Sequence, residues 1–247
     1  MYRKMKQDII TCSLRPGSSL TESELARRYA LSRTPVREAC RRLDDEGLIK
    51  IVPFRGYFVA PLTVSEFHQL QEMQLITDPA AAALAARRAS AVQVSRLRAC
   101  ARYEYRTGDR KSYFGFLQRN RSLHVGIAES TGNQHLVEVV RTIHTKLMRY
   151  FYLGLSLDAY GGTLVAEHCA IVEAIRRHRA EEARSRAAEH VMKTMKRSAK
   201  LFLSPAALGI AVPDDSDGLR GADFQALVGW EELAPKRPGR ADRSTSF

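Results

Sequence analysis

Asn120 and His124 stand four residues apart, which places them on one face of a helix. His168 and His190 lie equally far from residue 179, and Arg179–Ala180 reads as the turn between two helices. In an antiparallel helix hairpin, residues equidistant from the turn face each other. The two rings would then meet roughly three helical turns from the loop, in a bundle interior of the kind in which ligand sites are built. Three imidazoles and one carboxamide oxygen suit Zn²⁺ or Ni²⁺, with one or two coordination positions left open. The same spacing also fits histidines that are ordinary core or surface residues, and spacing alone leaves both readings open. His68 and His178 sit among polar neighbours and read as surface residues, while His135 and His144, near Arg and Lys, read as having no special role. Cys169 adjoins His168, but neighbouring helix positions diverge by about 100°, so both cannot easily point at one ion.

A second constellation lies near the N-terminus. Thr21 and Glu24 form the pattern of a capping box, which opens a short helix with Leu25, Ala26 and Tyr29 on its inner side. Residues 30–33 read as a turn. Thr34 is then expected to cap a second helix with Pro35 at its first position, where a missing N–H costs nothing. Val36, Ala39, Cys40 and Leu43 make one apolar stripe on it, while Arg33, Thr34, Arg37 and Arg41 crowd its N-terminal end and another face. That layout suits a helix whose N-terminal end enters the DNA major groove, where guanidinium forks read guanine edges and small hydroxyls bind phosphate. Gly47 ends the helix. Residues 48–52 and 57–60 then read as two strands of a hairpin wing, with Arg55 at its tip able to touch the DNA backbone or minor groove.

These residues need elements to carry them, and the composition says what kind. The 247 residues are 45% hydrophobic, enough for a full core, and the net charge of +12 points to a polyanionic partner. Most of the basic residues are Arg, which grips phosphate and carboxylate with a planar fork where Lys offers a point charge. The longest apolar runs fall far short of the ~20 residues that span a bilayer. The first ten residues lack the apolar stretch of a signal peptide, and four scattered cysteines form no C-x-x-C pair, so a reducing cytoplasm is expected. Three segments follow: residues 1–62, a winged helix-turn-helix; residues 63–205, a six-helix all-α bundle with helices near 64–89, 92–107, 110–130, 133–154, 162–178 and 181–203; and residues 206–247, a Pro- and Asp-containing tail without lasting period, expected to be disordered, with one apolar island at 224–230. The fold class is mainly α with one small β-hairpin.

The stretches Leu31-Ser32-Arg33-Thr34-Pro35-Val36-Arg37-Glu38-Ala39, Arg42 to Leu48, Leu14 to Leu20 and Arg55-Gly56-Tyr57-Phe58-Val59 resemble the signature of GntR-type bacterial transcription regulators. The resemblance implies that Arg33, Thr34, Arg37 and Gly56 contact operator DNA. A basic contact that some members carry early in the preceding helix is Ser23 here. Residues 63–205 are similar to the all-helical FCD effector domain of the FadR-type branch, through Asn120-Arg121-Ser122-Leu123-His124, Ser130-Thr131-Gly132-Asn133, Glu167-His168 and Glu189-His190. There the resemblance implies a divalent metal held by Asn120, His124, His168 and His190, beside which a small carboxylate effector binds. The Arg that the family carries in the domain's first helix is missing from the stretch Met73 to Asp78, so Lys146 or Arg149 is expected to supply that charge.

The expectation is therefore a cytoplasmic homodimeric regulator, a repressor, that binds a pseudo-palindromic operator and answers to an organic acid at a His-bound ion. A regulator that senses the metal alone, with no organic effector, is the alternative. A metal-dependent hydrolase is a more remote one, because no general base is evident.

Overall fold

The computed structural model describes residues 1–106, 108–154 and 161–202; the expected tail at 206–247 and its island lie outside them. The first 62 residues fold as α1 (Tyr2–Ile10), β1 (Ser19–Leu20), α2 (Glu22–Tyr29), α3 (Arg33–Asp45), β2 (Ile49–Val52) and β3 (Gly56–Val59). The strands form an antiparallel sheet in the order β1-β3-β2, with Ile49 opposite Val59 and Ser19 opposite Phe58. Met5, Ile9, Leu25, Val36, Cys40, Leu43, Leu48 and Val59 make its core. Two elements go beyond the sequence reading. Strand β1 is two residues long and exists only through its pairing with β3, so no local pattern marks it. The other is α1, which buries Met5 and Ile9 one turn apart.

One local assignment is corrected. The N-cap of α3 is Ser32, not Thr34, and Pro35 sits in the first turn rather than at its first position. The first turn's N–H groups have no intrahelical acceptor anyway, so a proline fits there as well. The expected capping box of α2 is present, with Thr21 Oγ1 accepting from Glu24 N at 3.2 Å and the Glu24 carboxylate accepting from Thr21 N at 2.8 Å.

Six helices follow: α4 (Val64–Arg88), α5 (Ala91–Ala101), α6 (Arg110–Glu129), α7 (Gln134–Gly154), α8 (Gly161–Arg176) and α9 (Ala180–Phe202). They match the expected six, except that α5 ends well before residue 107, where Tyr105 leaves the helix to pack on Tyr113 and Phe116. The first three starts have a local cause: Thr63 and Ser90 cap α4 and α5, and Asp109 accepts from the N–H groups of Lys111 and Ser112 to open α6. On α4, Ala81, Ala82, Ala85 and Ala86 are buried, and such small residues let another helix approach closely; α9 packs along α4. A second cluster of Phe67, Tyr113, Phe116, Leu147, Tyr150 and Phe151 lies toward the N-terminal domain and takes in Ile10 and Leu62. Among the described residues no helix is long and apolar enough to cross a membrane.

Candidate functional site

The stripe Val36, Ala39, Cys40 and Leu43 is buried, which turns Arg33, Thr34, Arg37 and Arg41 outward. Arg33, Arg37 and Arg41 follow one another at four-residue steps along the exposed face of α3. Arg33 Nη2 donates to Ser23 Oγ at 3.3 Å, so Ser23 steadies an arginine where a basic residue was missed. Arg37 Nε donates to the Glu22 carboxylate at 2.9 Å. Exposed ion pairs of this kind contribute about 0–1 kcal/mol, so Glu22 can surrender Arg37 to a stronger partner. Arg55 is exposed at the wing tip, beside a fully exposed Phe54 in the left-handed region. Gly56 has φ +93°, and a Cβ there would lie 2.9 Å from the Leu20 carbonyl oxygen. The closeness of β1 therefore demands glycine at this position, whatever else the wing touches.

The helical domain brings the histidines of four helices together: His124 from α6, His144 from α7, His168 from α8 and His190 from α9, all buried. The ring centroids of His168 and His190 are 4.6 Å apart, so the hairpin sets them face to face, although its turn falls at residues 177–179 and the expected turn residue Ala180 already opens α9. His124 lies 5.5 Å from each of them, and one ligating atom from each of the three falls within 4.8 Å of the others. Asn120 is half-buried one turn before His124 on the same face of α6.

The hydrogen bonds decide which nitrogen each ring offers. His190 Nδ1 pairs with the Glu167 carboxylate at 2.8 Å, and Arg197 holds that carboxylate through two N–H groups at 2.8 and 2.9 Å. His124 Nδ1 pairs with Asp78 Oδ2 at 3.0 Å. Among the described residues, the buried His124 Nε2 and His168 Nε2 have no hydrogen-bond partner. A buried polar atom left unpaired costs about 1–3 kcal/mol, and native folds keep few of them. Two such nitrogens directed into one nest of imidazoles fit a divalent cation. Burial holds His168 well below the ordinary imidazole range, and it lowers His124 and His190 despite their carboxylates. All three are therefore neutral, the form that ligates metal. Burial raises the Glu167 carboxyl, but hydrogen bonds from Arg197 and His190 outweigh it and bring it to about 2.

A pH dependence follows. The folded protein keeps these three imidazoles neutral below the pH at which free imidazole, with its value of 6.5, takes up a proton. The unfolded chain then binds more protons than the folded one, so stability is full above the unfolded value and falls as pH drops through it. We expect the melting temperature of the chelator-treated protein to decline between pH 7 and 5. A flat profile in calorimetry would show that the rings are not buried together.

Two residues of this cluster escaped the sequence reading. His144, set aside for its basic neighbours, has its Nε2 at 3.0 and 3.2 Å from the two Asp78 oxygens and stacks on His124 with centroids 4.1 Å apart. Asp78 lies in the same stretch that lacks the family's Arg. An acid just before Pro79, opening an alanine-rich apolar run, was the available signal. Lys146 and Arg149, expected to serve an acidic effector, make other contacts. Lys146 pairs with Glu66 at 2.9 Å, and the buried Arg149 donates to the Ala60 carbonyl. Both contacts run to residues 60–66, which join the two domains. His178 is at the expected surface turn, with φ 56° and Nδ1 at 2.9 Å from the Ala86 carbonyl oxygen.

Residues 1–59 match the family described as bacterial regulatory proteins, gntR family, and residues 69–193 match the FCD domain. An uncharacterized HTH-type transcriptional regulator in an unstable DNA locus of Streptomyces ambofaciens is 32% identical over 179 residues, covering 71% of this chain and 73% of its own. The HTH-type transcriptional repressor RspR of Escherichia coli is 26% identical over 183 residues, covering 72% of this chain and 78% of its own. Among solved structures, E. coli McbR/YncC superposes with a TM-score of 0.65 at 17% identity, covering 81% of this chain and 96% of that one, which shows a shared fold.

Proposed function

Because the chain belongs to the GntR family of bacterial regulatory proteins and carries an FCD domain, we propose that it represses transcription as a homodimer on a two-fold operator and is governed by a small carboxylate metabolite. Its place among transcription regulators, and not among enzymes, follows from the family. The finer reading rests on one observation above all: three neutral, buried imidazoles from three helices converge with two Nε2 atoms unpaired. Asn120, His124, His168 and His190 would hold a divalent ion, Zn²⁺ or Ni²⁺, which when bound offers an electrophilic point to a carboxylate. Repression is supported by the name of the relative RspR. Dimerisation is supported by symmetry, since a C₂ dimer pairs with a two-fold operator.

The chain's own residues divide the work. Arg33, Thr34, Arg37 and Arg41 present donors to the DNA, and Arg55 steadies the wing against phosphate. Helix α7 offers a physical route between the two halves: His144 touches Asp78 in the histidine cluster, and farther along the same helix Lys146, Arg149 and Tyr150 hold Glu66, Ala60 and Thr63. A ligand that shifts α7 would move the segment carrying the head.

The test uses the full chain and a DNA fragment that it selects from a random library. With Zn²⁺ bound, at least one small organic acid should change DNA affinity, and couplings of this kind are about 5–150-fold. The same acid should do nothing to chelator-treated protein. Light scattering should give twice the 27.7 kDa of one chain. A monomer, or an acid response that persists without metal, would overturn the reading.

A further inference from the structure

Asp78 is a carboxylate in the interior with no lysine or arginine within salt-bridge distance among the described residues. Its partners are His124 Nδ1 at 3.0 Å, His144 Nε2 at 3.0 Å and Gln74 Nε2 at 3.1 Å. An ionised carboxylate only accepts, so each ring must donate. This fixes His124 as the Nδ1–H tautomer and leaves the lone pair on Nε2, the atom that is buried without a partner beside His168 and His190.

The charge count leads to the same residue. The proposed ligands, three neutral imidazoles and the neutral amide of Asn120, leave a dication's charge unanswered. Glu167 lies near, but the two-point grip of Arg197 already cancels it. Among the described residues, Asp78 is the carboxylate beside the site whose charge no lysine or arginine takes up. A buried carboxylate of this kind is costly unless it is hydrogen-bonded and near a positive charge.

We infer that Asp78 is the anionic partner of the metal site: it orients His124 through Nδ1, and it supplies the negative charge that Asn120 cannot. It is a positioning residue and not a ligand. His144, which donates to Asp78 and stacks against His124 at an interplanar angle of 19°, clamps the carboxylate in place. Glu167 does for His190 what Asp78 does for His124, so both histidines are held by a carboxylate on the far nitrogen. The inference rests on the metal reading above.

Two measurements on the full chain test it. In the first, ¹⁵N shifts of the histidine rings are recorded in wild type, metal-free and loaded with Zn²⁺. His124 should carry its proton on Nδ1 in both states and take zinc on Nε2. A proton on Nε2 in the metal-free protein, or zinc on Nδ1, would overturn the assignment. In the second, zinc affinity is compared between wild type and Asp78→Asn. The amide oxygen can still accept in the place of Oδ2, but the new NH₂ then faces the donating His144 Nε2 across the 3.2 Å contact, and the charge is gone. Affinity should fall about 10–100-fold, while circular dichroism of the metal-free variant stays as in wild type. If zinc binds wild type and Asp78→Asn equally, the inference fails and the metal reading survives. If wild type binds no zinc, both fail.

Discussion

Arg37→Ala should cost roughly 1–3 kcal/mol of affinity for the selected DNA and relax sequence preference at one position in each half-site. That is the worth of a bidentate arginine on guanine. Arg37 lies on the exposed face of α3 one turn inside its N-terminal end, opposite the buried stripe of Val36, Cys40 and Leu43, so the helix can dock only with this face forward. Its tie to Glu22 is solvent-exposed and too weak to compete with a desolvated fork on a base. Arg33→Ala should behave alike, with the smaller added effect of freeing Ser23. Arg55→Ala should differ in kind: as a phosphate contact it should weaken all sequences equally and reduce the salt slope by about one. Unchanged affinity in Arg37→Ala, measured by fluorescence anisotropy, would remove α3 from the groove.

His168→Ala should abolish metal retention. His168 is the most buried-in of the three rings electrostatically: burial and the neighbouring His190, His124 and His144 all oppose its protonation, so it offers a lone pair across the whole physiological range. Its removal leaves His124 and His190 with only the neutral, weakly donating amide of Asn120, short of the three histidines that define the site. An ion at a hundred times its dissociation constant stabilises the folded state by about 2.7 kcal/mol. In a chain of this size each kcal/mol moves the melting temperature by about 2–4 °C. Wild type should therefore melt about 5–10 °C higher with zinc than after chelation, and His168→Ala should show no such gap. Elemental analysis after dialysis without chelator is the direct check, and equal metal in the two proteins would show that these rings are only core.

Much of this was legible because its cause is local. The capping box at Thr21, the apolar stripe of α3 and the turn between α8 and α9 are set by residues a few positions apart, and period and capping chemistry find them. The facing of His168 and His190 was likewise a matter of counting from one turn. Asp78 and His144 were not, because their role exists only where α4, α6 and α7 meet, 66 residues apart in sequence. Strand β1 is hidden for the same reason, since Ser19 and Leu20 are a strand only by virtue of Phe58 and Tyr57. For Lys146 and Arg149 the charge was legible and the surroundings were not. The groups they meet, Glu66 and the Ala60 carbonyl, come from the joining segment, and the buried Arg149 Nε has no hydrogen-bond partner among the described residues.

Ile10 belongs by sequence to the first helix of the head and by packing to the aromatic cluster of the helical domain, together with Leu62. Fully burying an aliphatic side chain of this size stabilises by about 1.5–3 kcal/mol. Separating the halves would return that apolar surface to water on both sides. The two halves therefore share part of one cooperative unit: opening either lowers the protection of the other, and a ligand confined to the helical domain also raises the free energy needed to open residues 1–62. Hydrogen exchange at the amides of α1 should slow when the histidine cluster is filled, although α1 contributes nothing to it.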